Sequence, residues 1–194
     1  MTGRLKKLGG KIGLEPIRYI ALLHSIGLGG GRRLAMADLR EMAGALGLTN
    51  PRTLIATGNL VFEATGVSKS SLEGKLEAAF EKRFDHHVDI VVRTLVDWRR
   101  MMAGNPFQRE SKSDGSRVIV RVARNAISDD ALALLEERGG DGERIKIVED
   151  YLWVHFPKDP GKSRLIGALT TKRLGVGTLR NWNTVRRLYD FAET

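Results

Sequence analysis

Apolar runs of strand length alternate with helical stretches along this chain, and twice the alternation includes two successive strands joined by a tight turn. The first turn is Thr57-Gly58-Asn59, between the runs Thr53–Ala56 and Leu60–Glu63; the second is Glu149-Asp150, between Arg144–Val148 and Tyr151–Phe156. Parallel neighbours need a crossover of a dozen or more residues, whereas two or three residues join antiparallel ones. The two turns therefore argue against one all-parallel, doubly wound sheet.

The remaining elements fall in a regular order. Arg18–Leu23 reads as a buried strand, and Leu39, Met42, Ala43 and Leu46 follow Met36 at helical spacing, with Gly47 as the stop. After the first hairpin, Ser70 and Glu73 form a candidate capping box, and Leu72, Leu76, Phe80 and Phe84 make an apolar stripe. Val88–Arg93 returns as a strand. Thr94 then caps a short helix to about Ala103, ended by Asn105-Pro106-Phe107, and Gln108–Ser116 reads as a polar, mobile connection. Val118–Val122 is a strand, Ser128 caps a helix carrying Leu132 and Leu135, and Gly139-Gly140 ends it. Two helices, about 161–174 and 181–192, close the chain after the second hairpin. The expected fold class is α+β: tandem ferredoxin-like modules, βαββαβ followed by an incomplete βαββα plus a C-terminal helix. The expected divisions are a loose basic extension over 1–17, a first module over 18–93 and a second over 94–194.

There is no cysteine among the 194 residues. That excludes disulfides, thiolate metal sites and cysteine nucleophiles, and is compatible with a reducing cytoplasm, the expected location. No stretch approaches the roughly 20 unbroken apolar residues that cross a bilayer, so no membrane role is expected. The net charge of +9 is concentrated at the N-terminal extension and over residues 158–194, where Lys158, Lys162, Arg164, Lys172, Arg173, Arg180, Arg186 and Arg187 face only Asp159, Asp190 and Glu193. Basic surface attracts phosphate whatever its sequence.

Three constellations are candidates for binding. Gly27–Arg33 follows the first strand, and Gly29 and Gly30 would let backbone amides approach a phosphate, with Arg32 as its charged partner. The spacing is not GxxxxGK[ST], and a flexible connection explains the glycines equally well. Thr57 and Asn59 place a hydroxyl and an amide at a hairpin tip, although Gly-Asn is also ordinary turn chemistry. The closing run Thr178–Leu188 crowds Arg180, Asn181, Trp182 and Asn183 together. There Trp182, Val185, Tyr189 and Ala192 share a helical face, which makes the tryptophan a core anchor and leaves Arg180, Arg186 and Arg187, with Lys162, Ser163 and Arg164, for a cationic surface. Thr178 is the candidate cap. Catalytic sets are sparse: His24, His86, His87 and His155 lack metal spacing, and no GxSxG elbow occurs. Neither a metal nor a cofactor is expected.

RYIALL (Arg18–Leu23) with IGLGG (Ile26–Gly30), LIATGNLVF (Leu54–Phe62), NPF (Asn105–Phe107), GKS (Gly161–Ser163) and TLRNWNTVRRL together resemble the bacterial domain-of-unknown-function family numbered 1697. The resemblance runs from Arg18 to the end. It implies two tandem α+β modules and no settled biochemical role. Where the family shows Arg-Gly-Ile-Asn after the first strand, this chain has His24-Ser25-Ile26-Gly27.

The residues lead to an expected function of non-catalytic binding, with a phosphate-bearing small molecule or nucleic acid as partner. Gly29, Gly30, Arg32, Thr57, Asn59, Lys162, Ser163, Arg180, Asn181 and Asn183 are the candidate contacts. One alternative is a small-molecule enzyme using His24, Thr57 and Arg180 in a cleft between the modules. Another is protein interaction or self-association through exposed strand edges.

Overall fold

A computed structural model describes residues 5–8, 11–24, 34–54, 58–140 and 142–194. They group into two units, residues 1–97 with 191–194 and residues 98–190.

The first unit opens with a two-stranded antiparallel hairpin, β1 (Leu5–Leu8) and β2 (Lys11–Leu14), in the segment expected to be a loose extension. Then follow β3 (Ile17–Leu23), α1 (Met36–Ala45), β4 (Thr49–Leu54), β5 (Asn59–Ala64), α2 (Lys69–Phe84) and β6 (Ile90–Thr94). The four later strands form an antiparallel sheet in the order β4-β5-β3-β6. Side chains alternate across a strand, so Tyr19, Ala21 and Leu23 face one way. They form a core with Leu39 and Met42 of α1 and with Leu72, Leu76 and Phe80 of α2. Gly47, at φ +77°, ends α1 in the left-handed region that glycine enters without cost. The cap of α2 differs from expectation. Ser68, not Ser70, takes the Ser71 amide, and Glu73 is turned to another task.

That task is at the sheet edge. Strand β6 is outermost, and the amides of Ile90, Val92 and Thr94 point away from β3. Each meets a carboxylate: Ile90 N donates to Glu77 Oε1 at 2.8 Å, Val92 N to Glu73 Oε1 at 2.9 Å, and Thr94 N to Asp97 Oδ2 at 3.3 Å. Glu73 and Glu77 are one helical turn apart on α2, so one helix face supplies two of the three. The third belongs to a reciprocal cap, because Asp97 N donates back to Thr94 Oγ1 at 3.0 Å. A row of free edge amides is a template for another strand; here the row is occupied.

Burial pushes the Asp97 carboxyl up. The hydrogen bond and charge of Lys69, together with both bonds from Thr94, outweigh that and hold it below the usual aspartate range. A carboxyl lowered in the folded state stabilises above its unfolded pKa and loses that contribution as pH falls through the folded one. Asp97→Asn is therefore expected to lose less stability than the parent between pH 7 and pH 3. Urea midpoints at the two pH values test this, and equal losses in both proteins would refute it.

The second unit contains most of α3 (Leu95–Ala103), α4 (Gln108–Ser113), β7 (Val118–Ala123), α5 (Asp129–Arg138), β8 (Arg144–Val148) and β9 (Tyr151–His155). Two 3-10 turns, Pro160–Lys162 and Ile166–Ala168, lead to α6 (Thr171–Leu174), β10 (Gly177–Asn181) and α7 (Trp182–Glu193), whose last residues group with the first unit. The sheet is antiparallel in the order β10-β7-β9-β8. This corrects the expectation of an incomplete module. A closing strand is present: Gly177–Asn181 pairs along β7 from Gly177↔Ala123 to Asn181↔Ile119. Ladder bonds on the open side of β7 outweigh the helical pattern there, and the helix begins only at Trp182, where Asn181 Oδ1 takes the Thr184 amide at 2.9 Å. Thr178 consequently caps nothing; it lies in the strand. The helix expected over 161–174 is broken up, since Ser163 Oγ captures the Leu165 amide and Gly161 and Gly167 interrupt the pattern.

The polar stretch after Pro106 folds into α4. Asn105 holds its start, accepting from Phe107 N and donating to Ser111 Oγ, both at 2.8 Å. On one face of the sheet Ile119, Leu152 and Val154 pack with Leu135, Leu165, Ala168 and Leu169. On the helix α7, Val185 and Leu188 are the buried anchors, while Trp182 is half-buried with its ring 6.0 Å from that of Trp153. Trp98 of α3 is fully buried and donates from Nε1 to Val185 O at 3.1 Å.

Candidate functional site

Helix α5 starts as its sequence indicates, with Ser128 Oγ taking the Ala131 amide at 3.3 Å, and it ends on Arg138, where a cation suits the helix dipole. Helix α6 is a single turn, and its end is fixed from inside the unit. Arg121 of β7, only 1% exposed, donates from Nη1 to Leu174 O at 3.3 Å and from Nη2 to Gly175 O at 2.5 Å. Its Nε has no partner, and burial pushes the guanidinium pKa down. Gly177 makes room for this group. A Cβ at that position would lie 2.6–2.8 Å from three guanidinium atoms, closer than van der Waals contact permits.

With α6 held there, a slot of about 110 Å³ lies between the two helices, walled by Ala131, Leu134, Leu135 and Leu174 and flanked by Arg138 and Arg173. Among the described residues no carboxylate lines it. Neither flanking arginine has an ion-pair partner among the described residues. Leu134 is 56% exposed. Two unneutralised guanidiniums over an apolar floor attract an anion and give its organic part a surface to rest on.

Most of the described candidate contacts from the sequence are engaged within their own units. Gly29, Gly30, Arg32 and Thr57 lie outside the described residues. Asn59 is fully buried and donates to Leu54 O at 3.1 Å, which ties the hairpin together and leaves its amide unable to orient a ligand at a tip. Ser163 donates to Glu143, twenty residues earlier, and accepts from the Leu165 amide in a local turn. Asn181 caps α7, and Asn183 packs on Gly115, where a Cβ would come within 2.3 Å of Asn183 Oδ1. Arg180 donates to Thr178 Oγ1 at 2.6 Å and Leu179 O at 2.8 Å, and burial pushes its pKa down to about 10. Leu179 faces the core layer of α5 and α6, so Arg180 faces the other side of the sheet. Lys162, beside that layer, and Arg180 are thus on opposite faces. Among the described six, Lys162 and Asn183 are the exposed ones.

Sequence reasoning noted Arg173 only as part of the basic segment 158–194 and missed Arg138, 35 positions away, as its companion. It also missed a polar cluster around the NPF motif. Arg144 lies over the Phe107 ring at 5.1 Å, pairs with Glu110, and has Nη2 3.2 Å from His155 Nδ1. Burial first, and the Arg144 charge second, hold the His155 pKa below its ordinary value. An arginine donor obliges Nδ1 to accept, so the ring is neutral with its proton on Nε2. The cluster secures α4 against β8 and β9, and it contains no nucleophile. Among the described residues no group of histidines and carboxylates has metal-binding geometry, and no helix is long and apolar enough to cross a membrane.

No curated protein matches the chain. Among solved structures, the conserved bacterial protein SP0830 from Streptococcus pneumoniae is similar, with a TM-score of 0.73 and 21% identity, over 92% of this chain and 99% of that one. At that identity the likeness is one of fold. The family model described as "Protein of unknown function (DUF1697)" matches residues 17–153, most of the chain, and on that match the chain belongs to this family.

Proposed function

We propose that the protein is a non-catalytic binder of a small phosphate-bearing anion, held at the α5–α6 slot of its second unit. The observation that carries this reading is the pair Arg138 and Arg173, two cations that, among the described residues, have no ion-pair partner and flank a slot no carboxylate lines. The surrounding segment 158–174 supports it, with Lys158, Lys162, Arg164, Lys172 and Arg173 against Asp159 alone. A slot of about 110 Å³ is well below the 300–1,000 Å³ of drug-sized sites, so it suits a phosphoryl head with a short apolar group. Nucleic acid would meet the same cations as an extended polyanion.

The scaffold in this proposal is a tandem pair of ferredoxin-like modules. Support comes from the strand orders: in each sheet the first strand of the unit's βαββ-β series lies between the third and the fourth, and the second is at the edge. A cytoplasmic setting accords with the lack of cysteine.

Calorimetry with phenyl phosphate tests the reading. Saturable binding is expected, weakening as salt rises, and about tenfold weaker in Arg138→Ala and in Arg173→Ala, the size of one lost charge-assisted bond. Unchanged affinity in the double variant overturns the assignment. A duplex oligonucleotide that binds with a steep salt slope, while phenyl phosphate does not bind, transfers the function to nucleic acid.

A further inference from the structure

The first unit holds a larger opening that the slot does not explain. Between the end of α1, the start of β4 and the first half of α2 lies a cleft of about 240 Å³. Its lining is mixed: Leu48, Leu72 and Leu76 of the unit's core, with Leu46 and Val67 packed beside them, form the floor, and Thr49, Glu63, Thr65 and Lys75 supply polar groups. Leu72 and Leu76 are only 1% exposed, so the apolar surface an occupant would meet is that of the partly buried Leu46 and Val67 beside Leu48.

The polar groups at the cleft select the occupant's charge. Glu63 lines it, but its carboxylate is already held by Arg18 at 3.1 Å and Asn50 at 2.9 Å. The Thr49 hydroxyl donates to Glu63 O at 3.2 Å. Lys75 of α2 also lines the cleft, and its ammonium has no ion pair or hydrogen bond among the described residues. The uncompensated charge at the mouth is therefore positive. Gly47 keeps the opening clear. Its φ of +77° disfavours any side chain, and nothing lies within 4 Å of where a Cβ would point.

We infer that this cleft binds a small apolar carboxylate, its hydrocarbon part against Leu46, Leu48 and Val67 and its acid group on Lys75. Size narrows the class. An apolar cavity of about 150 Å³ accommodates benzene, so the larger cleft takes one ring with a short acid arm, or a branched chain of similar bulk. The site is independent of the cationic slot and uses no residue of the second unit.

Three probes of one skeleton test it: 3-phenylpropionate, 3-phenylpropanamide and 3-phenylpropylamine, titrated into the full chain by calorimetry. The acid is expected to bind about tenfold more tightly than the amide, and the amine weakest. Lys75→Gln should bring the acid down to the affinity of the amide and leave the amide unchanged, a pattern that general loss of folding cannot produce. Lys75→Arg should retain the preference. Leu46→Trp, which fills the cleft from a partly exposed position, should abolish all three, whereas Arg138→Ala with Arg173→Ala should affect none. Equal affinity for acid and amide, preference for the amine, or no saturable binding of any probe overturns the inference.

Discussion

Replacing Glu73 with alanine is expected to lower the unfolding free energy by about 2 kcal/mol and to make the protein associate with itself as its concentration rises. Glu73 is 4% exposed and accepts the Val92 amide, which faces away from its own sheet. Truncation leaves that amide buried with no acceptor, a larger penalty than the net worth of an ordinary hydrogen bond. It also opens the middle of an otherwise occupied edge. Glu73→Gln keeps an acceptor oxygen at the same reach and should remain close to the parent in both respects. Urea unfolding gives the energy, and light scattering over a concentration series gives the association. An alanine variant matching the parent in stability and in mass would show that the carboxylate row does not protect the edge.

Trp98→Ala is expected to cost about 3–5 kcal/mol, the range for removing a large buried aromatic side chain. Trp98 has no exposed surface, and its indole N–H is bonded to Val185 O on α7. The loss therefore combines a cavity with a carbonyl stripped of its donor. Trp98→Phe separates the two contributions. It retains most of the volume and should cost about 1 kcal/mol for the missing bond, plus a smaller packing term. Chemical denaturation of the three proteins checks the order. A phenylalanine variant as unstable as the alanine variant would mean that the hydrogen bond, and not the volume, dominates at this position.

How much of this was legible in the sequence depends on whether the signal was local. Turn chemistry was read correctly at Glu149-Asp150, where Glu149 takes φ +53°, and at Gly47. Ser128 and Thr94 were read as caps because a cap bond spans only three residues. Strand β10 was not legible. Its residues precede a strongly amphipathic helix, and their role as a strand depends on β7, more than fifty positions earlier. The capping box assigned to Ser70 and Glu73 failed for a related reason: a strand amide some twenty residues away competes for the glutamate and wins. The slot was illegible for the same cause, since Arg121 sets the end of α6 and thereby the position of Arg173. Nothing local to Arg121 distinguishes it from a solvated arginine on a strand. The polar residues of the closing run were noticed for good reason, but local backbone bonds and close packing absorb most of them.

Strand β6 passes into α3 without a spacer, Thr94 ending one and Leu95 starting the other. The division between the units falls at Asp97, inside that helix and not in a loop. Anyone dissecting the protein would cut where one compact unit gives way to the other but regular structure continues. A fragment ending at Thr94 forfeits the aspartate that finishes both the helix cap and the carboxylate row, so a faithful excision has to carry the opening turn of α3 with it.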